Sequence, residues 1–112
     1  MGGPMKQGDI YWYTFRKPDK RRPVVILTRS SAIKFLSGIT VAPITTTVRD
    51  IPTEVALSPD DGVPQVCAVN LDNIQTVQKS RFGPYIAHLS QARMIAIRDA
   101  IAFALGFDSL GD

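Results

Sequence analysis

The chain predicts a mainly β protein with helices (an α+β fold), in which short strands curl into a small β-barrel and one C-terminal helix packs on it. Three observations carry this. Short apolar runs bounded by Gly, Pro, Asp and Ser recur from Asp9 to Leu89, the signature of a sheet protein with tight connections. Beyond Ser90 the apolar spacing changes to that of a helix. The 112 residues suffice for one core but not two. Residues 5–112 therefore read as a single domain without repeats or low-complexity segments. Met1-Gly2-Gly3-Pro4, ahead of Met5, reads as an expression scar.

Taken in order, Gly8-Asp9-Ile10-Tyr11-Trp12-Tyr13-Thr14-Phe15 is aromatic-rich and β-prone. Lys17-Pro18-Asp19-Lys20 has turn chemistry, since Pro presets φ and Asp bonds its own backbone. Pro23 to Thr28 is a buried aliphatic strand. Ser30-Ser31 is placed to cap a short helical turn through Phe35, ended by Gly38. Ile39 to Thr45 is a third strand, with Pro43 marking an edge or a bulge. Thr53 to Leu57 is a fourth, and Ser58 to Pro64 a loop in which Asp60 and Asp61 face water. Val66 to Val69, Ile74 to Val77 and Ile86 to Leu89 complete the sheet, the last after a Gly83-Pro84 turn. Ser90 then caps a helix whose apolar face is Met94, Ile97, Ile101 and Leu105, and Gly106 ends it.

Composition excludes several classes. Thirteen basic and ten acidic side chains leave a charge of +3, too small to name a partner. The placement says more: Arg16, Lys17, Lys20, Arg21 and Arg22 lie together, with Lys79 and Arg81 as a second cluster, and concentrated positive charge attracts polyanions. The single cysteine, Cys67, permits neither an intrachain disulfide nor a thiolate metal cage and reads as a small core hydrophobe. No run approaches the ~18 apolar residues of a membrane span, and no signal peptide is visible, which points to a cytoplasmic protein. His88 stands alone in a strand and reads as structural. There is no glycine-rich phosphate loop, no nucleophile elbow and no spacing for zinc. No metal or cofactor is called for.

What remains is arginine, threonine and a carboxylate. Arg21-Arg22 opens the strand Pro23-Val24-Val25-Ile26, and Pro23 holds Arg22 extended. Thr45-Thr46-Thr47 ends the strand Val41-Ala42-Pro43-Ile44. If those polar ends meet, they make a pocket for a phosphate. Such a pocket suits cleavage of RNA by its own 2′-hydroxyl, a reaction that needs no nucleophile from the protein. Arginine would neutralise charge on the phosphate, hydroxyls would complete an oxyanion-type site, and a carboxylate such as Asp72 would take the 2′-proton.

The ordered blocks Gly8-Asp9-Ile10-Tyr11-Trp12, Arg21-Arg22-Pro23-Val24-Val25-Ile26, Val41-Ala42-Pro43-Ile44-Thr45-Thr46-Thr47, Asp72-x-Ile74-x-Thr76-x-x-Lys79-x-Arg81 and Leu89-Ser90 resemble the MazF/PemK family from Gly8 to Gly106. The resemblance implies a PemK/CcdB-type barrel related to SH3 barrels. It also implies the toxin of a type II toxin–antitoxin pair: a homodimeric, ribosome-independent, metal-independent endoribonuclease that cuts single-stranded RNA at a short sequence. Products would be a 2′,3′-cyclic phosphate and a 5′-hydroxyl. By position, Arg22 and Thr45 match the family's catalytic arginine and threonine, and Asp72 the carboxylate proposed as base in the PemK branch. Arg16, Lys17, Lys20, Arg21, Thr46, Thr47, Asn70, Lys79 and Arg81 are candidates for gripping RNA.

Two departures are visible. The loop before Arg22 is shorter than in many relatives, and Asn70 stands where the PemK branch has a second functional arginine. A cognate antitoxin would have a disordered C-terminal segment that folds over the site as it binds. Two rival readings stay open: a non-enzymatic CcdB-like toxin that binds a protein such as a topoisomerase, and an SH3-like RNA-binding module without catalysis.

Overall fold

The structure, a computed structural model, describes residues 3–16 and 20–111. Residues 17–19 of the predicted turn Lys17-Pro18-Asp19-Lys20 and residues 1 and 2 of the proposed scar lie outside them. Seven strands, β1 (Asp9–Phe15), β2 (Lys20–Ile26), β3 (Gly38–Thr45), β4 (Glu54–Leu57), β5 (Cys67–Asn70), β6 (Gln75–Gln78) and β7 (Phe82–His88), form one antiparallel sheet. Its order is β4-β5-β3-β2-β1-β7, with β6 also on β3. Strands β4 and β7 end the sheet without pairing each other, so the predicted barrel is a curled sheet that stays open. The helix α2 (Gln91–Leu105) packs against β4 and the turn Leu71–Asn73.

The aliphatic run of β2 is explained by burial on both faces. Val25 joins Ile10, Ala42, Ile44, Val69, Leu71 and the helix residues Ile97 and Ala100 in one core. Val24 and Ile26 point the other way, into a second core with Tyr13, Ile33, Ile39, Val41 and Val77. Alternation along β2 and β3 therefore puts Arg22 and Thr45 on the face of the second core.

Proline positions separate local expectation from outcome. Pro43 lies in a central strand, not at an edge. The far side of β3 pairs with β6 over Gly38–Val41 and with β5 over Ile44–Thr45. Thr40 gives its carbonyl to Leu27 N on the β2 side, so Pro43 turns its missing N–H to the opposite side, into the gap between β6 and β5. Gly83-Pro84 is not a turn but lies within β7, which runs Phe82–His88. Among the described residues that strand pairs only with β1, and register shifts in the pairing let the proline pass.

The helices differ from expectation in detail. The short helix α1 spans only Ser30–Ile33; Arg29 occupies its cap position, and Ser30 Oγ instead accepts the Gln7 N–H at 2.9 Å. In α2, Ser90 Oγ accepts Arg93 N–H at 3.2 Å and Gly106 adopts φ 79°, as expected of both caps. Leu105, however, is 57% exposed; the buried helix residues are Ile97 and Ala100, with Met94, Ile101 and Ala104 partly buried against the same core. Asp61 does not face water. It closes a capping box on the 3-10 turn Pro59–Asp61 and takes a bidentate pair from Arg93, with Nε–Oδ1 3.0 Å and Nη2–Oδ2 3.2 Å. Those Arg93 hydrogen bonds, aided by the Ser58 N–H, hold its carboxyl below the ordinary range against the opposing effect of burial.

Candidate active site

Strand register brings the two polar strand ends together. Val24 pairs with Pro43 and Ile26 with Val41, so the same register carried two residues on sets Arg22 opposite Thr45. Both side chains are partly buried and, with Thr47, are shared by two neighbouring grooves, so the pair stands on the crest between them. One groove, of about 460 Å³, is polar in the residue types that line it: Arg22, Thr45, Thr47, Arg49, Asn70, Asn73 and Gln75, with Phe15 and Pro43. The other, of about 540 Å³, places Trp12, Pro23, Val63, Pro64 and Ile86 beside Arg21, Gln65 and Thr45–Thr47.

Local contacts prepare the crest. Thr45 Oγ1 accepts the Thr47 N–H at 3.1 Å, which orients the hydroxyl and leaves its own proton to donate. No ion pair among the described residues engages Arg22. An arginine whose backbone is held extended by Pro23, with no carboxylate partner among the described residues, can take a phosphate in a bidentate manner. Arg21 lies over the Trp12 ring with its guanidinium carbon 4.4 Å from the centroid, presenting a flat cationic shelf in the second groove.

The other sequence-predicted residues divide. Thr46 and Thr47 line the second groove and Thr47 the first as well. Asn70 lines the polar groove; its Oδ1 caps the turn Leu71–Asn73 by accepting Asp72 N–H at 2.9 Å, leaving its amide nitrogen free to donate. Asp72 sits between the lining residues Asn70 and Asn73 but lines neither groove. Its Oδ2 accepts the Thr53 hydroxyl at 2.6 Å. Arg16 is exposed at the end of β1. Lys79 and Arg81 line neither groove and are tied to backbone carbonyls, Lys79 Nζ to Ile33 O at 2.8 Å and Arg81 Nη2 to Thr14 O at 3.2 Å. Lys17 lies outside the described residues, and so does the side chain of Lys20.

Sequence reasoning missed Arg49, Asn73 and Gln75. Each comes from a different connection or strand, and no local pattern announces that they share a groove with Arg22. Arg49 supplies the polar groove with a guanidinium that Asn70 does not. The available signal was Glu54, an acid at the head of a strand otherwise apolar in character. Cys67 is buried at the edge of the second groove, where burial pushes its thiol pKa up, away from reactivity. His88 Nδ1 lies 2.8 Å from Asp9 Oδ1, remote from the crest in sequence and in its contacts. Among the described residues, no three His, Cys, Asp or Glu side chains cluster so as to hold a metal ion, and no helix is long and apolar enough to cross a membrane.

Known proteins resemble this chain over most of its length. The family model described as PemK-like, MazF-like toxin of type II toxin–antitoxin system matches residues 6–105. A Mycobacterium tuberculosis protein named endoribonuclease MazF3 is 42% identical over 90 residues, 80% of this chain and 87% of that one. Probable endoribonuclease MazF5 of the same organism is 38% identical over 100 residues, covering 88% and 91%. Among solved structures, Mycobacterium tuberculosis toxin MazF-mt6 superposes with a TM-score of 0.81 at 39% identity, covering 88% of this chain and 96% of that one. A mycobacterial endoribonuclease in complex with its cognate antitoxin gives 0.82 at 31% identity, covering 92% and 96%.

Proposed function

This chain belongs to the family of PemK-like, MazF-like toxins of type II toxin–antitoxin systems, and from that premise we propose that it is a cytoplasmic, metal-independent endoribonuclease cutting single-stranded RNA at the crest of Arg22 and Thr45. The carrying observation is that these two residues, far apart in sequence, line both grooves at once. A phosphodiester on the crest has a groove on either side for its flanking nucleotides.

The substrate's 2′-hydroxyl attacks its own phosphorus and gives its proton to a base as the P–O5′ bond breaks, and the departing 5′-oxygen takes a proton from solvent. A 2′,3′-cyclic phosphate and a 5′-hydroxyl result. Arg22 neutralises the charge growing on the non-bridging oxygens, a task that suits a guanidinium, which gives a proton away poorly. The Thr45 proton, left free by the Thr47 contact, donates to the same oxygens. Asp72 is the proposed carboxylate for the 2′-proton, and to reach it must give up the Thr53 hydroxyl or use its second oxygen. A homodimer and an antitoxin with a disordered C-terminal segment that folds over the grooves complete the reading.

Incubation of the purified protein with a mixed RNA pool tests this, with both cut ends mapped and chemically typed. Cuts at a shared short sequence, with cyclic-phosphate and 5′-hydroxyl ends and an unchanged rate in EDTA, are expected. An uncut pool would turn the function towards a protein-binding toxin or a plain RNA-binding module. Cutting abolished by EDTA would refute the mechanism.

A further inference from the structure

Arg49 is held in a way that an ordinary surface arginine is not. Glu54 opens β4 with its side chain only 2% exposed, and its two oxygens are spent on one neighbour: Oε1 accepts the Arg49 backbone N–H at 2.8 Å and Oε2 accepts Arg49 Nε at 2.9 Å. The Asp50 N–H faces the same carboxylate. To bring these donors round, Asp50 adopts φ 55°, the one non-glycine residue in the left-handed region among the described residues. The 47–54 connection is thus wound about a buried carboxylate. The outcome is a guanidinium 52% exposed at its side chain, with Nε occupied and the terminal nitrogens left over, lining the polar groove with Arg22.

We propose that Arg49, docked on Glu54, is a second phosphate-binding residue of the polar groove, taking the phosphodiester next to the one held between Arg22 and Thr45. The proposal rests on the reading of that groove as an RNA site. Because Glu54 offsets the charge, Arg49 contributes positioned N–H donors more than long-range attraction. Ordering the side chain before RNA arrives removes an entropy cost from binding. The amides of Asn70, Asn73 and Gln75 in the same groove are then set beside a fixed backbone, where they meet base edges.

The test measures binding of a labelled random pool of 12-nucleotide 2′-O-methyl RNA, which cannot be cut. The double variant Arg49→Ala/Glu54→Gln removes the buried charge together with its partner and leaves the net charge of the chain unchanged, so lost affinity reports lost donors. Affinity is expected to fall about tenfold, the size of one charge-assisted hydrogen bond. Arg49→Lys, which keeps a cation for Glu54 but lacks the fork, is expected to fall about threefold. Circular dichroism establishes folding; if the double variant does not fold, Arg49→Lys alone decides. Folded variants that bind as wild type, or a wild type that does not bind the pool, overturn the proposal. Wild-type cutting of ordinary RNA with Arg49-independent binding removes this inference and leaves the nuclease standing. Arg49-dependent binding by a protein that cuts nothing does the reverse.

Discussion

Where α2 meets the turn Pro59–Asp61, Arg93 lies across Asp61 in a two-pronged pair whose carboxylate side chain is only 10% exposed. Where β2 begins, Arg22 stands partly buried with no carboxylate of the described residues paired to it, opposite Thr45 across the strand register. Both regions are arginine-centred and both join segments distant in sequence. The difference is what satisfies the charge. A buried acid makes Arg93 a rivet between loop and helix; lacking one among the described residues, Arg22 is open to an anion from outside. Arg49 stands between these cases, with one edge spent on Glu54 and the other in the groove.

The sharpest break of that contrast is at the crest. Arg22→Lys and Thr45→Val should each lower the RNA cleavage rate at least tenfold while the melting temperature stays within error, because neither side chain supports the core; removing one oxyanion-hole donor elsewhere costs about 10²–10³-fold. Asp72→Asn should lower the rate by a smaller factor, and a rate equal to wild type would remove its carboxylate from the reaction. Equal cleavage by Arg22→Lys would mean that positive charge alone suffices there.

At the other region the expected effect is on stability. Asp61→Ala strips Arg93 of its partner and opens the capping box, at a cost of about 1–3 kcal/mol in urea unfolding, while the crest chemistry per folded molecule is preserved. A variant as stable as wild type would show the pair to be ornamental.

The mildest effect is a pH dependence. Hydrogen bonds from Arg93 lower the Asp61 carboxyl. Burial pushes Glu54 up, but the Arg49 backbone and guanidinium and the Asp50 N–H outweigh it and leave its carboxyl lowered too. A lowered carboxyl stabilises the fold above its unfolded pKa and loses that stabilisation as pH falls through the folded value. Melting temperature should therefore be level from pH 7 to 5 and fall below roughly pH 4. Asp61→Asn and Glu54→Gln should each shallow that fall, and an unaltered acid limb in both would assign it to other groups.

Much of the fold was legible because its signals are local. The β2 run Val24-Val25-Ile26 could only be a strand buried on both sides, and Ser90 and Gly106 bracket α2 by cap chemistry that acts within a turn. Gly83-Pro84 misled for the same reason: local chemistry says turn, and only the edge position of β7 makes an extended proline acceptable. Leu105 fits the helical period, yet it is exposed while its neighbour Ala104 packs against the core. Asp61 looked solvated because nothing near it in sequence foretells Arg93.

What the sequence by itself determined was the inventory: which segments extend, where the helix starts and stops, and that Arg22 and Thr45 end their strands as polar tips. Tertiary structure alone decided that the two tips share a crest, that Asp72 bonds Thr53 beside the grooves rather than lining one, and that Arg49 joins Arg22 while Lys79 and Arg81 are tied elsewhere. The physical reason is range. Backbone preference and side-chain period act over a few residues, whereas register and the partner of a buried charge depend on segments that folding alone brings within hydrogen-bonding distance.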